Sequence, residues 1–333
     1  MVYCSLGFSR GGTELIISKD MKQLKVILSE PRGFCAGVTR AIETVERALK
    51  KFGAPVYVRH EIVHNKYVVE SLKSKGVIFV DEVTEIPKGS LAIFSAHGVS
   101  DKVEDDAKAR DLDVIDATCP LVSKVHREAK KYEQNDYEII LIGHKGHPEV
   151  EGTSGKVKKD VLLVTNEEDA RLVKVKNPEK LAYVSQTTLS VDDTKKIVNI
   201  LEERFPQLNR GLATKDICYA TQNRQDAVRE LSSQVDLILV IGAQNSSNSN
   251  RLRDLGEECE VESYLINDAT EIDSKWFEGK SVIGISAGAS APEILVEGVV
   301  ERIKEFSDTE VVVEKMNGEV ENIHFALPRK VRK

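Results

Sequence analysis

Residues 116–126 read DATCPLVSKVH. A short apolar strand, DVID (113–116), runs into Cys119, and Pro120 follows at the expected first turn of a helix, where a missing N–H costs little. Beyond it Leu121, Val122, Val125, Ala129 and Tyr132 recur at the spacing of an amphipathic helix. A thiol at a helix start lies beside unpaired N–H groups and the positive end of the helix dipole, which favours thiolate. Taken alone, Cys119 reads either as a packed thiol, the ordinary fate of a lone cysteine, or as a ligand. Its setting recurs twice, and the repetition predicts the fold.

LKVILSEPRGFCAGVTRAIETVERALKK (24–51) gives a strand, Cys35, and a helix with Val38, Ala41, Ile42, Val45 and Leu49 on one face. GLATKDICYATQNRQDAVRELSSQV (211–235) gives a strand, Cys218, and a helix carrying Ala227, Val228, Leu231 and Val235. The cysteines are separated by 119 − 35 = 84 and 218 − 119 = 99 residues, the length of one small α/β unit each.

Two strand-then-polar-loop units follow each cysteine. The first set is APVYVRHEIVHN (54–65), YEIILIGHKGHPEVEG (137–152) and VDLILVIGAQNSSNSNR (235–251). It places His64, His147 and Asn245 at 29, 28 and 27 residues after their cysteines. The second set is LAIFSAHGVS (91–100), LAYVSQTTLS (181–190) and SVIGISAGAS (281–290), placing His97, Thr187 and Ser290 at 62, 68 and 72 residues after. Alternating strand and helix patterns predict an α/β protein with mostly parallel sheets.

The fold expected is three related α/β modules in a pseudo-threefold trefoil, over 36–118, 119–214 and 215–303, with strand 24–35 joining the third. Residues 1–23 read as an N-terminal extension and 304–333 as a C-terminal tail. Binding groups gather beyond the carboxyl ends of strands in such sheets. Three modules about one axis would bring three cysteines and six polar loops to a central site.

Composition excludes several classes. A net charge of −7 argues against a general nucleic-acid binder. No apolar run approaches the roughly 20 residues of a membrane span. Residues 1–24 lack a signal-like apolar region, and MKQLKVILSEP from Met21 reads as a natural first strand. Five cysteines without close pairs read as reduced thiols, so a cytoplasmic protein is expected, with no membrane partner.

Three thiolates from separate modules suit a soft metal or a cluster. Structural zinc sites favour close cysteine pairs and a filled fourth position, and neither is present. Cys4 lies in the extension. Cys259, in GEECEVE, follows no strand–loop unit and reads as an ordinary, partly buried thiol. An iron–sulfur cluster with one iron open to substrate fits three cysteines; spacing alone leaves a catalytic zinc or three unlinked thiols as alternatives.

The loops supply further chemistry. GHKGHPEVEG brings together His147 and Glu149, a pairing able to move protons, while His144 and Glu151 read as surface groups. NSSNSNR (245–251) offers Ser246, Ser247 and Asn248, and SAGAS (286–290) leaves Ser290 near a helix start. Neutral donors, histidines and helix ends bind phosphate without an arginine cluster. Module position favours His64 over His60. His97 follows an apolar strand directly, where a structural role is the alternative. His126 and His324 have no repeated counterpart and read as structural or exposed.

PRGFCAGV, YVRHEIVHN, FSAHGVS, DATCPLVSKVH, GHPEVEGT, QTTLSVDDT, DICYATQNRQ, NSSNSNRL and SAGASAPEIL together closely resemble the 4-hydroxy-3-methylbut-2-enyl diphosphate reductase family, which acts last in the non-mevalonate isoprenoid pathway. The resemblance covers roughly residues 24–330. It implies a trefoil around one 4Fe–4S cluster per chain, held by Cys35, Cys119 and Cys218, with one iron open to the substrate's hydroxyl oxygen. It implies that His64, His97, His147, Ser246, Asn248 and Ser290 hold the diphosphate, with Ser247 in the same loop. Glu149 would supply protons, with Thr187 and His147 orienting the leaving hydroxyl.

The implied reaction is reductive dehydroxylation of (E)-4-hydroxy-3-methylbut-2-enyl diphosphate to isopentenyl and dimethylallyl diphosphates. Electrons would come from a donor such as ferredoxin or flavodoxin, and no G-x-G-x-x-G fingerprint suggests direct nicotinamide binding. An iron–sulfur redox sensor and a zinc hydrolase of a phosphorylated small molecule, with Glu149 as base, are the competing readings.

Overall fold

A computed structural model describes residues 23–209 and 216–332. The chain runs β1 (Leu24–Leu28), α1 (Ala36–Phe52), β2 (Val56–Arg59), α2 (Lys66–Ser74), β3 (Val77–Val80), β4 (Leu91–Phe94), α3 (Asp101–Ala109) and β5 (Asp113–Asp116). It continues as α4 (Pro120–Gln134), β6 (Glu138–Ile142), α5 (Pro148–Ser154), β7 (Leu162–Val164), α6 (Glu167–Leu172), β8 (Leu181–Ser185) and α7 (Val191–Arg204). The last third holds α8 (Tyr219–Ser232), β9 (Leu237–Ile241), α9 (Ser247–Glu258), β10 (Glu262–Ile266), β11 (Val282–Ala287), α10 (Glu293–Phe306) and β12 (Val311–Lys315).

The strands form three parallel sheets with one shared order. The first module's sheet is β3-β2-β4-β5, the second's β7-β6-β8, and the third's β10-β9-β11-β1-β12. In the second, Asn209 adds a parallel bridge to Ala182, in the place that β5 takes in the first and β1 in the third. Each sheet therefore reads second, first and third strand of its module, then the segment that leads to the next cysteine. This is the α/β trefoil expected from the repeat. Helices cover both faces, so central strands are apolar along their whole length, as in β9 (LILVI), which is buried throughout.

Helix starts follow ordinary capping chemistry. The side chains of Asn65, Ser100, Ser190 and Ser246 each accept from a backbone N–H three residues on, satisfying a donor the helix leaves unpaired. On α4 the buried face is Val122, Val125, Ala129 and Tyr132 as read, with His126 and Glu128 also buried and Leu121 only half so. Val235, expected on the α8 face, lies beyond that helix, which stops at Ser232.

The segment from 304 on is woven into two modules. Its first residues finish α10, β12 pairs with β1, and Val331 packs into the core of the first module. Arg40 Nε donates to the Ala326 carbonyl at 2.9 Å, which fastens this segment along α1. Cys4 and the rest of residues 1–22 lie outside the described residues, as do residues 210–215 of the approach to Cys218.

Candidate active site

Cys35, Cys119 and Cys218 are the N-cap residues of α1, α4 and α8. Each cysteine stands where one module hands over to the next, and its backbone N–H binds a loop of the earlier one. Cys119 donates to the Ala96 carbonyl at 2.9 Å, Cys218 to Thr187 at 3.0 Å, and Cys35 to Ala289 at 3.2 Å. The acceptors are in the three second-set loops, so every cysteine is fastened by the module before it and the third bond closes a ring.

The three cysteines line one cavity. A Cβ built on Gly37 would lie 2.7 Å from Cys119 Sγ and 3.8 Å from Cys35 Sγ, so the absence of a side chain there keeps the space between two thiols open. Burial and then the charge of Cys35 push the Cys119 thiol up to about 12, and the same causes push Cys218 up to about 11. The expected preference for thiolate at a helix start is thus overturned. Backbone N–H groups do pull each thiol down, but loss of solvation is the larger effect. Such thiols release their protons to a cationic centre that replaces the lost solvation.

Among the described residues no three His, Cys, Asp or Glu side chains converge closely enough for a single ion. Three sulfurs spread round a cavity fit a cluster of several irons better than one zinc. Cys259 is exposed at the C-terminal end of α9, not partly buried as expected.

All twelve residues read from the sequence as site groups line one cavity of about 110 Å³. Cys35 comes from the junction of the third and first modules, and His64 and His97 from the first; the second contributes Cys119, His147, Glu149 and Thr187, and the third Cys218, Ser246, Ser247, Asn248 and Ser290. His60, His126, His144 and His324 are not on this wall. His126 is instead buried against Gly98, and burial pulls it down to about 4.

The three histidines meet. His64 and His97 stack with ring centres 4.2 Å apart, and His147 presents an edge to them at 5.6 and 5.9 Å. His147 caps α5: its Nδ1 accepts from the Glu149 N–H at 3.1 Å, which leaves the neutral ring's proton on Nε2. Burial pulls His147 down to about 3 and holds His97 well below its ordinary value. Both therefore act as neutral rings. His64 Nε2 and both amide atoms of Asn248 are buried without a hydrogen-bond partner. Orphaned polar atoms cost stability unless a ligand uses them, so these mark where a polar group binds.

Ser247 and Ser290 are already engaged. Ser247 Oγ donates to the Thr188 carbonyl at 3.0 Å, and Ser290 Oγ to the His64 carbonyl at 2.9 Å. Both hydroxyls clip the third module to a neighbour, and both residues line the cavity.

Glu149 is the buried carboxyl of the cavity. It is only 2% exposed, and it accepts the Thr187 N–H at 2.7 Å on one oxygen and the Thr187 hydroxyl at 3.1 Å on the other. Burial raises it to about 7, more than the two Thr187 bonds lower it. A carboxyl held there carries a proton for a substantial part of the time near neutrality. Thr187 thus holds the acid with its N–H and the Cys218 arm with its carbonyl.

The family model described as LytB protein matches residues 26–304. The chain belongs to the LytB family. It is 57% identical over 303 residues to 4-hydroxy-3-methylbut-2-enyl diphosphate reductase 1 of Rhodopseudomonas palustris, covering 91% of this chain and 98% of that one. With the enzyme of the same name from Burkholderia pseudomallei it shares 56% identity over 308 residues, 92% and 97% of the two chains. The solved E-1-hydroxy-2-methyl-but-2-enyl-4-diphosphate reductase of Plasmodium falciparum superposes with a TM-score of 0.88 at 37% identity, over 93% of this chain and 97% of that one. A second solved structure, of (E)-4-hydroxy-3-methyl-but-2-enyl diphosphate reductase, gives 0.61 at 34% identity, over 85% and 100%. This LytB chain is an enzyme of that reductase family, as its motifs indicated.

Groups beside the cavity were given no role by the sequence, Asn245 having been read only as a repeat position. Glu61 and Asn245 join His64 through a contact spanning 184 residues, and Lys124 Nζ meets the buried Asp216 carboxylate at 3.0 Å. Asp216 also accepts the Ser185 N–H at 3.1 Å. Asn245 had a signal, since it matches His64 and His147 in module position; Glu61 had only its place three residues before His64. Among the described residues no helix is long and apolar enough to cross a membrane.

Proposed function

We propose that the chain reductively dehydroxylates (E)-4-hydroxy-3-methylbut-2-enyl diphosphate to isopentenyl and dimethylallyl diphosphates. Cys35, Cys119 and Cys218 would hold one 4Fe–4S cluster. The observation that carries this reading is the single cavity where three buried thiols, a buried carboxyl held near neutrality, and unpartnered His64 and Asn248 atoms meet.

The overall change consumes two electrons and two protons: the allylic C–O bond breaks, a C–H bond forms, and the oxygen leaves as water. When bound, the cluster supplies the electrons and the Lewis acidity. Glu149 holds a proton on a carboxyl oxygen and delivers it to the departing oxygen. Thr187 fixes both oxygens of that carboxyl, and His147, capping the same short helix, keeps the Glu149 backbone in place.

His64, His97 and His147 with Ser246, Ser247, Asn248 and Ser290 receive the diphosphate. An anion among the rings favours the protonated forms of His97 and His147 and offsets the burial that keeps those two neutral. Apolar neighbours Val38, Val63 and Val122 exclude water from the allylic part. Electrons arrive singly from a carrier such as ferredoxin or flavodoxin, and the cytoplasm is the compartment in which reduced thiols and such carriers coexist. The module limits read from the sequence, 36–118, 119–214 and 215–303, belong to this proposal as units that each open on, or directly after, one of the three helix-start cysteines.

Anaerobic purification followed by metal and sulfide analysis and a turnover assay tests it. A brown protein with about four irons and four sulfides per chain that reduces the allylic diphosphate with a reduced dye is expected. One zinc per chain would return the site to a hydrolase, and a stable cluster without turnover would return it to a redox sensor.

A further inference from the structure

Behind His64 stands a carboxylate that no step above uses. Glu61 Oε2 lies 3.0 Å from His64 Nδ1 and 3.0 Å from Asn245 Nδ2. Asn245 Nδ2 is also 3.2 Å from the same ring nitrogen. A carboxylate only accepts, so the ring nitrogen facing it is the one that carries the proton. The other, Nε2, is the buried, unpartnered atom on the cavity side.

We infer that Glu61 is a positioning residue for anion binding, fixing the ring of His64 and, through Asn245, tying the first-set loop of the first module to that of the third. The inference rests on the reading of this cavity as a diphosphate site. Three features favour it over a plain loop contact. Glu61 itself is 39% exposed in its side chain, so the bonds are not forced by burial. The three groups come from two modules, with Asn245 reaching Glu61 across from the third. His64 is held additionally from behind by Ser290, whose hydroxyl binds its carbonyl at 2.9 Å. Held on both sides, the ring keeps Nε2 aimed at one place. When doubly protonated it has one N–H for the carboxylate and one for a phosphate oxygen, a charge-assisted pair of bonds in series.

The test is a mutant cycle on the cluster-loaded enzyme with inorganic diphosphate as the probe, read by calorimetry and by KM and kcat for the allylic diphosphate. Glu61→Ala is expected to weaken inorganic diphosphate and raise KM by about 10-fold, with kcat changed by less than about 3-fold and iron content unaltered. His64→Ala should weaken the probe at least as much, and the double variant should match His64→Ala alone. Glu61→Gln, which preserves volume, covers the case of a poorly folding alanine variant and should move affinity in the same direction. Ring ¹⁵N signals should show His64 losing its Nδ1–H preference in either variant, a change that general loosening would not produce. Unchanged affinity in the Glu61 variants beside a weakened His64→Ala, or losses that multiply in the double variant, would overturn the inference. An unchanged affinity in His64→Ala would instead bring down the diphosphate reading, and this inference with it.

Discussion

Two glutamates bracket the cavity, and each accepts two hydrogen bonds. Glu149, inside, takes both from the neutral donors of Thr187 and is raised to about 7 by burial. Glu61, at the rim, has water on one side, and its bond to His64 followed by that to Asn245 holds it below the ordinary carboxylate range. One is poised to give a proton and the other to remain an anion. Hydrogen-bond count does not separate them; the deep burial of Glu149 against the bond of a solvent-facing Glu61 to His64 does.

That contrast can be broken at graded depth. The largest effect is expected beneath both glutamates: Cys119→Ser should lose the iron and with it all turnover, seen as bleaching of the visible absorbance and a fall in bound iron. Intact colour and rate would remove this arm from the ligand set. Next, Glu149→Gln should retain iron and lower kcat by roughly 10²–10⁴, whereas full activity would detach the carboxyl from the chemistry.

The pH profile sharpens the same point. Because the folded value of Glu149 is raised, the protonated acid prevails below about 7 and is lost as pH rises through it. The rate should therefore carry a descending limb centred near 7, absent from Glu149→Gln. The same sign applies to folding: the raised value contributes stability that is complete below the ordinary carboxyl range and lost as pH rises through about 7.

Thr187→Val removes one of the two bonds to Glu149 but preserves shape. It should cut kcat by about 10-fold, with the limb displaced upward because the carboxylate loses a donor. The smallest effect belongs to the rim, where Asn245→Ala should raise KM by about 3-fold and leave the pH limb where it is. A moved limb in Asn245→Ala would mean that rim and interior are not independent.

The architecture was legible because its signals are local. A strand, a cysteine at a helix start, and apolar residues on one helix face are each written within some twenty residues, and threefold repetition made Cys35, Cys119 and Cys218 stand out together. The polar loops were legible for the same reason. What could not be read depends on distance or on burial. Glu61 and Asn245 are 184 residues apart, and nothing in either loop names the other. The place of β12 beside β1 joins ends of the chain. The thiol values went the opposite way because helix-start geometry is local, while the desolvation that outweighs it is a property of the assembled trefoil.

The ring of three cysteine N–H bonds has a consequence for assembly. Each second-set loop supports the cysteine that stands at the opening of the module after it, so a displaced loop would be felt by a thiol outside it. Assembly of the proposed cluster would then require all three loops to be in place at once.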